Sequence, residues 1–142
     1  MRSAFLEQNS GVSAGVKKKV ETVTEARTLT NDESGKVFML DSAGGAYSIT
    51  LPTSLEDGVY YKFVVGEETP TGAITIAAGS AIVSMVMKDA GGDASNSTVG
   101  TQISNIVIGT SAEKGDYIDM MAAGDEWVAE CLSGINNAVT TS

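Results

Sequence analysis

Residues 28–66 read TLTNDESGKVFMLDSAGGAYSITLPTSLEDGVYYKFVVG. Three short apolar runs stand in this stretch, at 36–41, 46–51 and 59–66. Each is rich in β-branched and aromatic residues and bounded by Gly, Ser, Asp or Pro. Runs of that length and punctuation build strands, and their succession predicts consecutive antiparallel ones. Tyr47, Ile49 and Leu51 alternate with Ser48 and Thr50, the pattern of a half-buried strand, and Pro52 ends it because it has no N–H for a ladder. In VYYKFVV, Val59, Tyr61, Phe63 and Val65 form the better core face. KVFMLD is almost continuously apolar, which predicts a strand covered on both faces.

The same signals recur along the chain. Residues 20–30 alternate with a high Thr content and favour a strand, and 31–35 form a turn. Strands are expected at 73–78, 81–88 and 105–109, and a hairpin joins 116–122 to 126–132 around Ala123-Gly124-Asp125. Residues 89–100 (DAGGDASNSTVG) predict a long exposed loop, and 136–142 a polar, frayed tail. No segment keeps a helical period over three turns, and residues 53–57 are compatible with a single short helix. Nine or ten short strands at regular spacing predict an all-β fold: an antiparallel β-sandwich or jelly-roll-like barrel spanning 20–135, with an extended N-terminal arm at 1–19.

The chemistry of the side chains narrows the function. The chain has no histidine, which removes Ser-His-Asp and Cys-His catalysis and the usual zinc sites. Walker A and G-x-G-x-x-G motifs are absent. Asp116 and Asp119 are three apart, so on a strand they face opposite ways, and Asp125 with Glu126 fits a solvated turn. Asp89, Asp93 and Asn96 offer oxygen ligands in a Gly-rich loop but miss the EF-hand spacing, so a solvated loop is the reading there. The single cysteine, Cys131, and most of the methionines are expected in the core. No enzyme, cofactor or metal site is expected.

Charge is unevenly distributed. The first 19 residues carry Arg2, Lys17, Lys18 and Lys19 against Glu7, while the remaining 123 carry five basic and 17 acidic side chains. An acidic body repels phosphate, so no nucleic acid partner is expected. No apolar run approaches the ~18 residues of a membrane span, and Ala4-Phe5-Leu6 is broken at once by Glu7-Gln8-Asn9, so neither a membrane partner nor a signal peptide is expected. The arm reads in two ways: as a disordered terminus, or as a segment that orders on a partner. In the second reading its contacts are Phe5, Leu6, Val12, Val16, Lys17, Lys18 and Lys19.

Four segments, TLTNDESGKVFMLD, YSITLP, VYYKFVVG and GDYIDMMAAGDEWVAE, resemble small virion proteins of tailed phages, the capsid decoration or cement proteins. The resemblance covers residues 28–132 and rests on strand-and-turn patterns. It implies a β-sandwich or jelly-roll-like protein, made in the host cytoplasm, that binds the outside of the assembled capsid. It further implies a homotrimer at local three-fold positions, with the major capsid protein as partner. Related patterns occur in tail-fibre proteins, which leaves a second expectation: a receptor-binding β-module that recognises host surface glycan.

Overall fold

The computed structural model describes residues 17–89 and 99–142. It is an all-β sandwich of two mixed sheets. The strands are β1 (Val20–Val23), β2 (Arg27–Thr28), β3 (Val37–Leu40), β4 (Tyr47–Thr50), β5 (Tyr60–Val65) and β6 (Ile74–Ala77). They continue with β7 (Ile82–Asp89), β8 (Val99–Ile103), β9 (Asn105–Ile108), β10 (Tyr117–Ala123), β11 (Glu126–Ser133) and β12 (Val139–Thr141). The larger sheet has the order β1-β3-β5-β10-β11-β7-β8, and the smaller β12-β9-β6-β4-β2.

Strand direction departs from the antiparallel expectation. The first six strands alternate between the sheets, so β1, β3 and β5 lie side by side and parallel in one, and β2, β4 and β6 in the other. The chain therefore winds as a flattened coil before it turns to antiparallel pairing at β10 and β11. The physical reason lies in the connectors. Six residues separate β3 from β4, enough to cross from one sheet to the other ~10 Å away, where a hairpin would need about two to five. Hydrophobic alternation reveals which face of a strand is buried; it does not reveal which strand lies beside it.

The predicted core faces are where they were expected. Val59, Tyr61, Phe63 and Val65 are buried, as are Ile49, Leu51, Ile74, Ile76, Trp127 and Cys131. Phe38 and Phe63 stack with centroids 5.6 Å apart, and Tyr61 lies 5.6 Å from Trp127. Burial pushes the Tyr61 hydroxyl up to about 12, and it donates to the Thr30 carbonyl at 2.6 Å. The β10–β11 hairpin closes at Gly124, which takes φ +71° at the first of two turn residues, as a tight hairpin turn requires.

Three further expectations need correction. β3 is covered on one side only: Phe38 and Leu40 are buried, while Val37 and Met39 stay half-exposed on the outer surface. Residues 136–142 are not frayed, because Ala138 and Val139 are buried and β12 pairs with β9. Asp89, Val99 and Gly100 belong to strands, and the rest of the expected 89–100 loop lies outside the described residues. The turn expected at 31–35 contains a 3-10 turn at Asn31–Glu33, where the Thr30 N–H donates to Glu33 Oε1.

Where the coil begins, charge closes the gap between the sheets. Glu21 of β1 and Arg27 of β2 pair across it, and Arg27 also pairs with Glu33. Lys36 reaches Glu21 at 3.1 Å and Glu33 at 3.5 Å, and the Arg27 guanidinium lies 5.4 Å from the centre of the Phe38 ring. Arg27 first, and Lys36 second, hold the Glu21 carboxyl below its ordinary value of 4.5.

Phe63→Ala is expected to cost about 3–5 kcal/mol, the range for an aromatic removed from a packed core, read from urea unfolding. For Glu21, a depressed folded value means its contribution is complete above pH 4.5 and is lost as pH falls through the folded value. Urea midpoints at pH 7 and pH 3.5 should therefore fall further for the native chain than for Glu21→Gln; equal falls would exclude Glu21 as a source of acid sensitivity.

Candidate binding surface

The two outer faces of the sandwich differ in chemistry. The smaller sheet presents Ser48, Thr50, Thr75, Val107 and Thr140 outward. Hydroxyls of this kind keep their hydration and leave little apolar area. The larger sheet presents Val20, Tyr60, Val86, Met121 and Leu132, which are 59, 50, 49, 44 and 45% exposed. Ile82, also exposed, extends the same sheet.

Register arranges these side chains in rows. Tyr60, Met121 and Val128 are direct cross-strand neighbours on β5, β10 and β11. The next outward row runs Val20, Val37, Lys62, Asp119, Glu130 and Val86. The third carries Met39, Val64, Tyr117, Leu132 and Lys88. Two largely apolar rows thus flank one that holds charge. Between the first two rows lies a shallow depression of about 370 Å³, lined on its outer side by Tyr60, Asp119, Met121, Val128 and Glu130.

The electrostatics of this face are unbalanced. Asp119 and Glu130 stand directly opposite one another, a like-charge pair that destabilises a sheet. Lys62 is the cross-strand partner of Asp119, yet its ammonium sits 4.3 Å from the centre of the Tyr117 ring. The Tyr117 hydroxyl donates to Glu130 Oε1 at 3.1 Å, and that bond, with Glu130's charge, raises its pKa. Among the described residues, neither Asp119 nor Glu130 has a cation within ion-pair distance.

The residues named from the sequence fall elsewhere. Phe5, Leu6, Val12 and Val16 lie outside the described residues. Lys17, Lys18 and Lys19 are exposed and lead into β1, where the Val37 N–H donates to the Lys19 carbonyl at 2.9 Å. Asp93 and Asn96 are also outside the described residues, and among those described no group of three or more metal-ligating side chains converges. Asp116 and Asp119 do face opposite ways: Asp116 is buried and accepts from the Ser133 hydroxyl at 2.9 Å and the Gly134 N–H at 2.8 Å. Met85, Met87 and Met120 fill the core, whereas Met121 belongs to the outer face. Sequence reasoning assigned apolar residues to the core by default and so passed over this surface. The signal was present: Tyr60, Met121 and Leu132 occupy the positions between residues that already complete a buried face.

Replacing Met121 and Leu132 together by Ser is expected to change unfolding free energy by no more than about 0.5 kcal/mol per site, because both side chains are exposed. The same variant should lose retention on a hydrophobic-interaction column. A large stability loss would instead make this face a structural part of the core. Comparison of the chain with protein-family models and with curated proteins gave no match.

Proposed function

We propose that this chain is a non-enzymatic structural protein of a tailed-phage virion, a decoration or cement protein that binds the outer capsid surface and stabilises the shell. The observation that supports this reading is the outward face of the larger sheet, apolar in two rows and charged between them, on an otherwise hydroxyl-rich and acidic body. Segments that carry the sequence resemblance supply much of that face. VYYKFVVG holds Tyr60 and Lys62, and GDYIDMMAAGDEWVAE holds Asp119, Met121, Val128 and Glu130.

In this reading the partner is the major capsid protein and the chain acts as a homotrimer on the capsid exterior. The apolar rows supply affinity by leaving water, and the charged row fixes orientation. Each contact can be weak, because three copies held together multiply it by avidity. The N-terminal residues Phe5, Leu6, Val12, Val16 and Lys17 to Lys19 make a second contact with the shell or a sister subunit.

The test is co-sedimentation with undecorated phage capsids, with the mass of the free protein measured by light scattering. Saturable binding by a trimer is expected. Tyr60→Glu combined with Met121→Glu should weaken it by about tenfold or more, as loss of a central aromatic anchor does, while Thr75→Glu on the opposite sheet should not. A chain that stays in the supernatant overturns the reading, and one that binds host cells or glycans instead turns it toward a tail-fibre role.

A further inference from the structure

Four of the five ion pairs among the described residues lie at one place, where β1 and β2 face each other across the open end of the sandwich. Glu21 meets both Arg27 and Lys36, and Glu33 meets the same two cations. The Arg27 guanidinium also closes over the Phe38 ring. The fifth pair, Lys114 with Glu68 at 3.8 Å, joins two connectors through exposed side chains. Little besides charge fastens the β1–β2 end. β1 pairs with β3 alone over four residues, and β2 with β4 alone over two. Across residues 20–28 Val23 is the one buried side chain. The central strands β10 and β11 have neighbours on both sides and bury Ile118, Met120, Trp127 and Cys131. Segments with few buried apolar contacts open before the rest of a domain.

This fastening responds to acid in one direction. Glu21 and Glu33 are its titrating members, because Arg27 and Lys36 keep their charge throughout the acid range. Neutralising both carboxylates removes the attraction across the gap and leaves two cations with no anion between them. Because Arg27 and Lys36 hold Glu21 below its ordinary 4.5, the pairing survives at that pH and is lost only as pH falls through the lower folded value. At the far end of β1 the Tyr47 hydroxyl and the Asp41 N–H donate to the Val23 carbonyl at 2.7 and 3.0 Å. Burial pushes that hydroxyl up to about 12, so acid leaves both bonds in place, and Val23 is the last point of the segment to come free.

We propose that residues 20–28 form an acid-released latch, held by the cluster of Glu21, Arg27, Glu33 and Lys36. At neutral pH the four charges clamp β1 to β2 across the gap. In acid the segment opens while the rest of the sandwich stays paired. Opening bares the edge of β3, where the Val37 and Asp41 N–H groups lose the carbonyls of Lys19 and Val23. The latch is a property of the free chain and stands whatever its partner is.

The test is hydrogen exchange of the full chain, followed by mass spectrometry from pH 6 to pH 2.5 and corrected for the intrinsic rate at each pH. Peptides covering 20–28 are expected to lose about tenfold more protection than those covering 117–133, the size of effect when two or three partly screened pairs go together. The midpoint of that loss should lie below pH 4.5. The variant Glu21→Gln with Glu33→Gln should exchange quickly at 20–28 already at pH 6, change little with acid, and keep its protection at 117–133. Equal loss in both regions, in acid or in the variant, makes these charges part of the global fold and overturns the proposal. Protection at 20–28 that persists in acid or in the variant overturns it as well. So does a first opening at the other carboxylates that hold the backbone, where Glu67 accepts from Ser42, or Asp116 from Ser133 and Gly134. Capsid binding does not enter the readout, so this inference and the proposed function can fail separately.

Discussion

The aromatic chain from Phe38 through Phe63 and Tyr61 to Trp127 is the packing on which both sheets close. It runs from β3 through β5 to β11, linking the parallel strands of the coil to the antiparallel hairpin that follows. Aromatic pairs at these separations add stabilisation beyond the area they bury. The Trp127 indole N–H has no hydrogen-bond partner among the described residues, so this core accepts a desolvated donor in exchange for a large ring at its centre. The Tyr61 hydroxyl escapes the same cost through its bond to Thr30, which also ties the ring cluster to the 3-10 turn.

The coil imposes its own demand. A strand that crosses to the opposite sheet leaves its backbone groups unpaired until the chain has returned, so the partners of β1 and β2 arrive only with β3 and β4. Such non-local pairing is slow to form. It also leaves an open end between β1 and β2, where an apolar gap would be exposed. Glu21, Arg27, Glu33 and Lys36 fill that end with mutually compensating charge, much as terminal repeats cap a solenoid. At the opposite flank of the smaller sheet β12 performs a related service, sealing β9 with the buried Val139.

What the sequence disclosed follows from local physics. Alternation located nearly every strand, and the buried faces of β4, β5 and β6 could be read residue by residue, because side-chain period two is a property of one strand alone. Pairing was hidden, since Val37 meets Lys62 only through a connection that leaves the sheet and returns. The tail looked polar because Thr140, Thr141 and Ser142 outnumber the two residues, Ala138 and Val139, that anchor it. The exposed apolar face of the larger sheet was obscured for a different reason. KVFMLD reads as a strand buried on both sides, whereas its outer residues belong to a face that is apolar and half-exposed. Composition cannot separate the two, because a surface meant for a partner and a core use the same residues.

The turns of the coil are unequal in length. Val20 pairs with Val37, Val37 with Lys62, Arg27 with Ile49, and Tyr47 with Ile74, so no two successive turns enclose the same number of residues. Register is held within the sheets, and the excess is absorbed at the rim. A Cβ at Gly44 would meet nothing within 4 Å; Gly45 takes φ +112°, which favours glycine, and a Cβ at Gly72 would collide with the backbone of Gly45 and Ala46. The rim is therefore open at Gly44 and closed just beside it, where Gly72 packs on Gly45 and Ala46. Extra residues in the β3–β4 connection fit ahead of Gly45, at Gly44, where they extend outward from the rim and leave the strand ladders on either side in place.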